Sequence, residues 1–248
     1  MNRQAQAVIL FLVGVAVLRA GFTDLYLRYV KAELRPLLLL AGAVLIVAAA
    51  ATVWYERRRT RASGGEEHEG EGSQPGEGGH VHREPRVSWL LVLPLVALIL
   101  VAPPALGSYS AMRAGTALQQ QPWGYPDLPS GDPLRLDLAD YAGRAVYDHG
   151  RSLGDRRVKV TGFVALDGDG TPYLIRMALN CCAADAQPVK VGMSGELPPV
   201  LRPDTWLEVT GTYTGKRTKD PVNDGVIPYI KVSEAKPVRA PRDPYGES

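Results

Sequence analysis

The sequence predicts an α+β membrane protein, with three transmembrane helices in its N-terminal half and a small β-barrel domain behind them. Apolar residues are concentrated in three long runs before about Leu106, whereas most polar residues follow that position. Behind the third run, short segments of alternating apolar and polar residues are separated by turn residues, a pattern typical of strands. The chain averages of 46% hydrophobic and 22% charged residues conceal this division.

The first two apolar runs differ in strength. The first, Ala5 to Ala20, is barely long enough to cross a bilayer. A cleaved signal peptide is the alternative, but Arg3 is the only basic residue before the run and no Ala-x-Ala cleavage site directly follows it. The second run, Leu37 to Tyr55, has no charged residue and at about 1.5 Å per residue covers a hydrocarbon core of about 30 Å. It is the clearest span.

The third run, Trp89 to Leu106, contains three prolines, and we expect a kink at Pro94 and an end at Pro103 and Pro104. The loop before this run is basic at both ends, through Arg57, Arg58, Arg59, Arg61, Arg83 and Arg86. Because cytoplasmic loops carry an excess of basic residues, this loop is predicted to be cytoplasmic. Three crossings of the cell membrane then place the N-terminus in the cytoplasm and the C-terminal domain outside.

The predicted organisation has five parts. Residues 1–62 form two transmembrane helices with a short outer loop, 63–86 a disordered cytoplasmic loop, 87–107 the third helix, 108–133 a linker, and 134–248 the barrel domain. The loop is rich in Gly, Glu and His, and with almost no apolar side chain it cannot bury enough surface to offset its ordering entropy. The linker is rich in Gly, Pro and Gln, which is typical of irregular structure.

Histidines in the cytoplasmic loop are candidate metal ligands. His80 and His82 are separated by one residue and lie in a segment with several glutamates. Imidazole and carboxylate groups together suit a divalent ion such as zinc. The alternative is a solvated linker whose histidines bind nothing.

The C-terminal domain is predicted to begin with a short helix over Leu138 to Tyr147, capped by Asp137 and ended by Gly150. Five strand-like runs follow: Arg157 to Leu166, Pro172 to Leu179, Pro188 to Met193, Trp206 to Tyr213, and Ile227 to Val238. Five short strands favour a small barrel of the OB type. The connector Asp167 to Gly170 resembles the opening of a calcium loop but lacks its final Glu, which favours a hairpin turn.

Barrels of the OB type often bind oligonucleotides, and the segment Lys216 to Lys219 is basic. A net charge of only +2 and an extracytoplasmic location argue against a nucleic-acid partner. We therefore expect this segment to be a solvated loop.

The only two cysteines, Cys181 and Cys182, are adjacent and followed by Asp185. In an extended strand adjacent side chains point to opposite faces, so this pair can share an ion only in a turn. Because the strand pattern breaks at Asn180, a turn is expected, and it would bring Asp185 near Cys182. Cys181, Cys182 and Asp185 are therefore the predicted ligand or metal site, with zinc or copper as the ion. The alternatives are a cysteine packed in the core and a vicinal disulfide.

Several features together resemble the YcgQ-like family of uncharacterised bacterial membrane proteins. They are the N-terminal spans, the His-containing loop, the proline-ended span, the strand Val160 to Val164, Arg176 and the segment Cys181 to Ala186. The resemblance covers most of the chain, and the Cys-Cys segment is its most specific part. It implies the partner subunit of a multi-span permease in a two-part transport system, without a substrate or a catalytic residue.

The predicted function is that of a non-enzymatic accessory subunit of a membrane permease, whose outer domain binds a small ligand or a soft metal ion. The two better spans contain no charged residue deep in the bilayer, so they lack the polar groups of a complete transporter. Two alternatives remain open. One is a thiol oxidoreductase that acts outside the membrane, although the sequence lacks the Cys-x-x-Cys spacing typical of such enzymes. The other is a purely structural anchored domain.

Overall fold

The computed structural model describes residues 3–63, 93, 96–97, 100–101, 104–118, 120 and 124–246. These residues form two compact units. One unit falls within Met1–Leu25 and Glu33–Pro103, and the other within Tyr26–Ala32 and Pro104–Ser248. The predicted metal ligands His80 and His82, and most of the predicted third span, lie outside the described residues.

The first unit contains two long apolar helices, α1 (Arg3–Phe22) and α2 (Arg35–Ser63). In the part of the chain that the structure describes, the segments Ala5–Phe22 and Ala32–Arg59 are long and apolar enough to cross a membrane. They coincide with the first two predicted runs. By length and composition both could be membrane spans, and α1 could also be a signal sequence.

Helices α1 and α2 pack closely against each other at glycines, among them Gly14 and Gly42. A Cβ atom on Gly14 would lie 2.8 Å from Cγ1 of Ile46, and one on Gly42 would lie 2.8 Å from Cδ2 of Leu18. A larger residue at either position would therefore push the helices apart. Small residues that permit close backbone approach are typical of helix pairs in membranes.

The second unit is built on a closed β-barrel of five strands, β2 (Val158–Leu166), β3 (Pro172–Ala178), β4 (Gln187–Gly195), β5 (Trp206–Lys219) and β6 (Val226–Pro237). A two-residue strand, β1 (Leu134–Arg135), pairs with β2 beside the ring. The order around the barrel is β2-β3-β4-β6-β5, and antiparallel pairing of β5 with β2 closes it. Strands β4 and β6 run parallel. The predicted mixed fold with a small barrel is confirmed.

Apolar side chains that alternate along the strands fill the barrel interior. Val158 and Val160 on β2 and Val191 on β4 belong to one buried cluster. Helix α4 (Leu138–Tyr147) joins the same cluster, and the Tyr141 hydroxyl donates a hydrogen bond to the carbonyl of Tyr229 at 2.8 Å. The side chain of Asp137 accepts the Ala139 N–H at 2.7 Å, which confirms the predicted N-cap.

A second apolar cluster lies on the other face of β3, where Tyr173, Ile175 and Met177 are buried. The short helix α3 (Ser108–Arg113) covers this face with Ala111, and Tyr245 from the C-terminal segment packs beside it. The sequence predicts an irregular linker over 108–133, whereas the structure shows that its first residues form α3. The apolar surface of β3 gives this short segment a partner against which it can fold.

A buried ion pair fastens the residues after α3 to the barrel. The Nζ atom of Lys190 lies 2.7 Å from Oδ2 of Asp220, and both side chains are at most 1% exposed. Lys190 also donates to the carbonyl of Ala114 at 2.8 Å, and Asp220 accepts the N–H of Thr116 at 2.8 Å. These two backbone contacts give the buried ammonium and carboxylate groups further hydrogen-bond partners, which a buried ion pair needs to offset its loss of hydration.

Two connections between strands were predicted from the sequence, and the structure confirms only one of them in full. The carboxylate of Asp167 accepts the N–H groups of Asp169 and Thr171 at 3.0 and 2.8 Å, so the connector is a hairpin turn, as predicted. The predicted solvation of Lys216–Lys219 is confirmed, since all but Thr218 are exposed, but the predicted loop is wrong because these residues form the end of β5. A register shift after Thr214 allows the strand to continue its pairing with β6.

Candidate metal and ligand site

The two cysteines lie in the connection between β3 and β4, at one end of the barrel. The last pair of the β3–β4 ladder joins Ala178 to Gln187, and the chain between them forms an irregular turn. Ala183–Asp185 is a single turn of 3₁₀-helix that begins after Cys182. We call residues Asn180–Asp185 the cysteine turn. Its existence confirms the expected break of the strand pattern at Asn180.

The carboxylate of Asp185 organises the cysteine turn. Its Oδ1 atom accepts the N–H of Asn180 at 2.8 Å, and its Oδ2 atom accepts the N–H groups of Cys181 and Cys182 at 2.9 and 3.3 Å. The thiol of Cys181 donates a further hydrogen bond to Oδ2 at 2.9 Å. The thiol and the backbone N–H groups together lower the pKa of Asp185 to about 2. The group is therefore ionised at every physiological pH.

The same contact has the opposite effect on Cys181. Its hydrogen bond to Asp185, followed by its contact with Cys182, raises the pKa of the thiol to about 11. Cys181 is thus protonated near neutral pH, although its side chain is exposed. Since the thiolate is the nucleophilic form, this environment does not activate Cys181 for thiol exchange.

Cys181, Cys182 and Asp185 offer three donor atoms to one ion. One sulfur from each cysteine and one carboxylate oxygen all lie within 4.8 Å of one another. Two thiolates on a tetrahedral zinc, at zinc–sulfur distances of about 2.3 Å, lie about 3.8 Å apart. The donor atoms therefore lie close enough together for small side-chain rotations to bring all three to one ion. The structure thus brings together the three residues that the sequence predicted as a site, and it places the cysteines unbonded to each other.

The sequence did not reveal that the cysteine turn pairs with a distant segment. Residues Tyr26–Ala32, which we call the strap, connect α1 to α2 and belong to the same compact unit as the barrel. Val30 forms an antiparallel bridge with Cys182. The N–H of Lys31 donates to the carbonyl of Cys181 at 3.2 Å, and the N–H of Ala183 donates to the carbonyl of Tyr29 at 2.7 Å. Both cysteines are therefore held by the backbone of the strap.

A polar cleft of about 600 Å³ borders the cysteine turn and was also not foreseen. Asn180 and Asp185 line one side of it, and Asp137, Asp140 and Arg144 of the α4 region line another. Arg144 is 2% exposed, and its Nε donates to Asp140 at 3.0 Å while its Nη1 donates to the carbonyl of Pro126 at 3.0 Å. The site is thus reachable from a cleft with charges of both signs.

The first prediction concerns the pH dependence of Cys181 reactivity in a Cys182→Ser background. Because the Asp185 carboxylate raises the Cys181 pKa from 9.0 to about 11, Asp185→Asn should bring this pKa back towards its ordinary value. The thiolate fraction at pH 8 then rises, and we expect alkylation by iodoacetamide to accelerate at least about tenfold. The measurement is the alkylation rate from pH 7 to 11.

Asp167→Asn is the matched control, because Asp167 also accepts backbone N–H groups in a hairpin turn but lies at another connection. This control should leave the Cys181 rate unchanged. Equal rates for Asp185→Asn and its parent would show that the carboxylate does not govern the thiol.

Comparisons with known proteins add one match. Residues 132–246 match the model of the DUF1980 C-terminal domain, an uncharacterised family. This range contains β1, α4, all five barrel strands and the cysteine turn. No curated protein and no solved structure matches the chain. The second unit is therefore similar, over residues 132–246, to the DUF1980 C-terminal domain.

Proposed function

We propose that this protein is a membrane-anchored accessory subunit of a permease, and that its barrel domain binds a soft or borderline metal ion at Cys181, Cys182 and Asp185. The observation that carries the proposal is the convergence of the three donor atoms within 4.8 Å. Thiolate and carboxylate ligands suit zinc, and thiolates also suit copper(I). The resemblance of the Cys181 to Ala186 segment to the YcgQ-like family supports the role of a permease partner.

The ligand set suits transfer of an ion better than permanent storage. Three protein ligands leave one position of a tetrahedral ion open. The ligands belong to an exposed turn beside a cleft, where a fourth donor can reach the ion. Binding must also displace the thiol proton that Cys181 shares with Asp185, so affinity falls as the pH is lowered.

A purely structural turn is the second candidate. The observation that favours it is the reciprocal capping arrangement, in which Cys182 and Asp185 satisfy each other's backbone N–H groups. Asp185 would then serve only to hold the hairpin. The two candidates differ in what the cysteines do, since capping uses the Cys182 side chain and requires no ion.

The barrel itself is proposed to be of the OB type, on the basis of its five strands and its parallel β4–β6 pair. Such barrels bind oligonucleotides on the outer face of their second and third strands. In this chain that face carries Tyr173, Ile175 and Met177, which are buried beneath α3 and Tyr245. The covered face supports the proposal that the domain has no nucleic-acid partner.

The second prediction is that the full-length protein, reduced and in detergent, binds one equivalent of zinc or copper(I). Cys181→Ser and Cys182→Ser should each abolish binding measured by calorimetry, because each removes a thiolate ligand. Lowering the pH from 8 to 6 should weaken zinc binding at least about tenfold, since a thiol proton competes with the ion.

Asp185→Asn should weaken binding, whereas the control Asp167→Asn should not, because Asp167 caps a turn without cysteines. If no heat of binding is detected at micromolar ion concentrations while circular dichroism shows a folded barrel, the structural candidate replaces the metal site.

The described residues also support the predicted topology. If α1 and α2 both cross the membrane, the strap lies on one side and the end of α2 at Ser63 on the other. The strap pairs with the cysteine turn, so the barrel shares its side. The third span predicted from the sequence would return the chain to that side before Pro104. The basic residues after Tyr55 support a proposed orientation in which the strap and the barrel lie outside.

The third prediction concerns this topology. A phosphatase that requires an extracytoplasmic location, fused after Ser248, should be active, and one fused after Ser63 should be inactive. A cysteine-reactive reagent that cannot cross membranes should label Cys181 in intact cells, provided that it is used at a pH where the thiol reacts. Activity of the Ser63 fusion alone would reverse the proposed orientation.

The permease partnership rests on the character of the helices. Between Ala5 and Leu18 in α1, and between Leu37 and Tyr55 in α2, the chain has no charged residue. Ionisable groups inside a bilayer mark the pathways of ions and polar substrates. The described helices thus supply an anchor and a packing surface, and we propose that a multi-span protein supplies the pathway.

The fourth prediction is that mild-detergent extraction from native membranes recovers the protein in a complex with a larger multi-span membrane protein. Mass spectrometry of the complex identifies that protein. Gly14→Leu, which would separate α1 from α2 by its clash with Ile46, should reduce the yield of the complex, whereas a substitution on the barrel surface, Glu234→Gln, should not. Recovery of a monomer at native abundance would contradict the partnership.

A further inference from the structure

We propose that the strap is a coupling element, whose pairing with the cysteine turn is strengthened when an ion binds. This inference rests on the proposed metal site and goes beyond it, because it assigns a conformational role to residues Tyr26–Ala32. The strap lies within the connection between the two apolar helices: α1 ends at Phe22 and α2 begins at Arg35. A change in its pairing is therefore a change in the connection between those helices.

The contacts that define the strap fall on the residues that would hold the ion. Cys181 receives the Lys31 N–H on its carbonyl, Cys182 is the bridge partner of Val30, and the next residue, Ala183, donates to Tyr29. The backbone of the two ligand residues thus forms a single antiparallel bridge with the strap. A movement of the ligand residues' backbone would therefore act directly on that bridge.

Ion binding would change how the side chains of this same turn are held. In the structure, the Cys181 thiol donates to Asp185 at 2.9 Å, and the three donor atoms lie within 4.8 Å of one another. A bound ion would replace that single rotatable hydrogen bond by coordinate bonds from all three side chains. The turn is then fixed in one conformation. A strap that pairs with an already ordered turn loses less conformational entropy. Ion binding and strap pairing therefore favour each other.

The strap is also tied to the segments that lead into and out of the barrel. Tyr26 and Leu27 are buried, at 8% and 6% exposure. The Tyr245 hydroxyl accepts the N–H of Leu106 at 2.8 Å, and the proximity of Tyr29 is one cause that raises the Tyr245 pKa, after burial. Tyr29 of the strap therefore lies near the hydroxyl that binds Leu106, the residue at which the predicted third span ends.

The fifth prediction tests this coupling with two substitutions at Lys31 in the full-length protein. Lys31→Pro removes the N–H that donates to Cys181 but is compatible with the extended conformation of Val30 before it. Lys31→Ala keeps the N–H and removes only an exposed side chain. By reciprocity, Lys31→Pro should raise the zinc Kd at least about fivefold, and Lys31→Ala should leave it unchanged.

A second measurement uses the unaltered protein. Saturating zinc should slow hydrogen–deuterium exchange of peptides that cover residues 26–32 and 179–186 at least about fivefold. The double variant Cys181→Ser/Cys182→Ser should show no such change. Because this readout needs no change in the strap, it remains decisive if Lys31→Pro misfolds.

The outcomes separate the two proposals. Zinc binding with unchanged exchange in residues 26–32, or with equal affinity in both folded Lys31 variants, would overturn the coupling and leave the metal site standing. A lack of zinc binding by the folded protein would overturn both. Slower exchange on zinc addition, together with weaker binding by Lys31→Pro alone, would support the coupling.

Discussion

The hydrogen bonds accepted by the Asp185 carboxylate are the constraint on which the candidate site depends. They gather the N–H groups of Asn180, Cys181 and Cys182 around one charge, which bends the chain so that adjacent cysteines no longer point to opposite faces. A strand would have separated the two sulfurs. The turn instead brings both within reach of a single ion, and the same carboxylate supplies the third donor.

The Asp185 carboxylate affects both the nucleophilicity of the Cys181 thiol and its capacity to bind an ion. Hydrogen bonding to an ionised carboxylate keeps the Cys181 proton in place, so the thiol is a poor nucleophile near neutral pH. A metal ion can still displace that proton, because binding two thiolates and a carboxylate compensates for its loss. The environment therefore does not activate Cys181 for thiol exchange, as an oxidoreductase would require.

The barrel serves as the scaffold that holds this turn in position. Its interior is filled by the strands and by α4, and the outer face of β3 is covered by α3 and the C-terminal segment. The buried pair of Lys190 and Asp220 fixes the chain between α3 and α4. With these surfaces occupied, the cysteine turn and the cleft beside it are the surface that we propose to be functional.

The sequence by itself determined the features that depend on neighbouring residues. The apolar runs gave α1 and α2, Asp137 and the apolar spacing after it gave α4, and alternation gave the barrel strands. Even the grouping of Cys181, Cys182 and Asp185 was predictable, because the three lie within five residues and need only a turn. Such patterns extend over only a few residues. Over that distance the periodicity of a helix or strand and the length of a side chain fix which residues can meet.

Only the tertiary structure decided the rest: the pairing of Val30 with Cys182, the ion pair of Lys190 with Asp220, the folding of α3 on β3, and the cleft between α4 and the cysteine turn. In each case the partners are far apart in the chain. Closure of the barrel determines which backbone groups still lack a hydrogen-bond partner and which apolar faces are still uncovered. No local pattern marks these partners, because long-range pairing is set by the surfaces that folding leaves unoccupied.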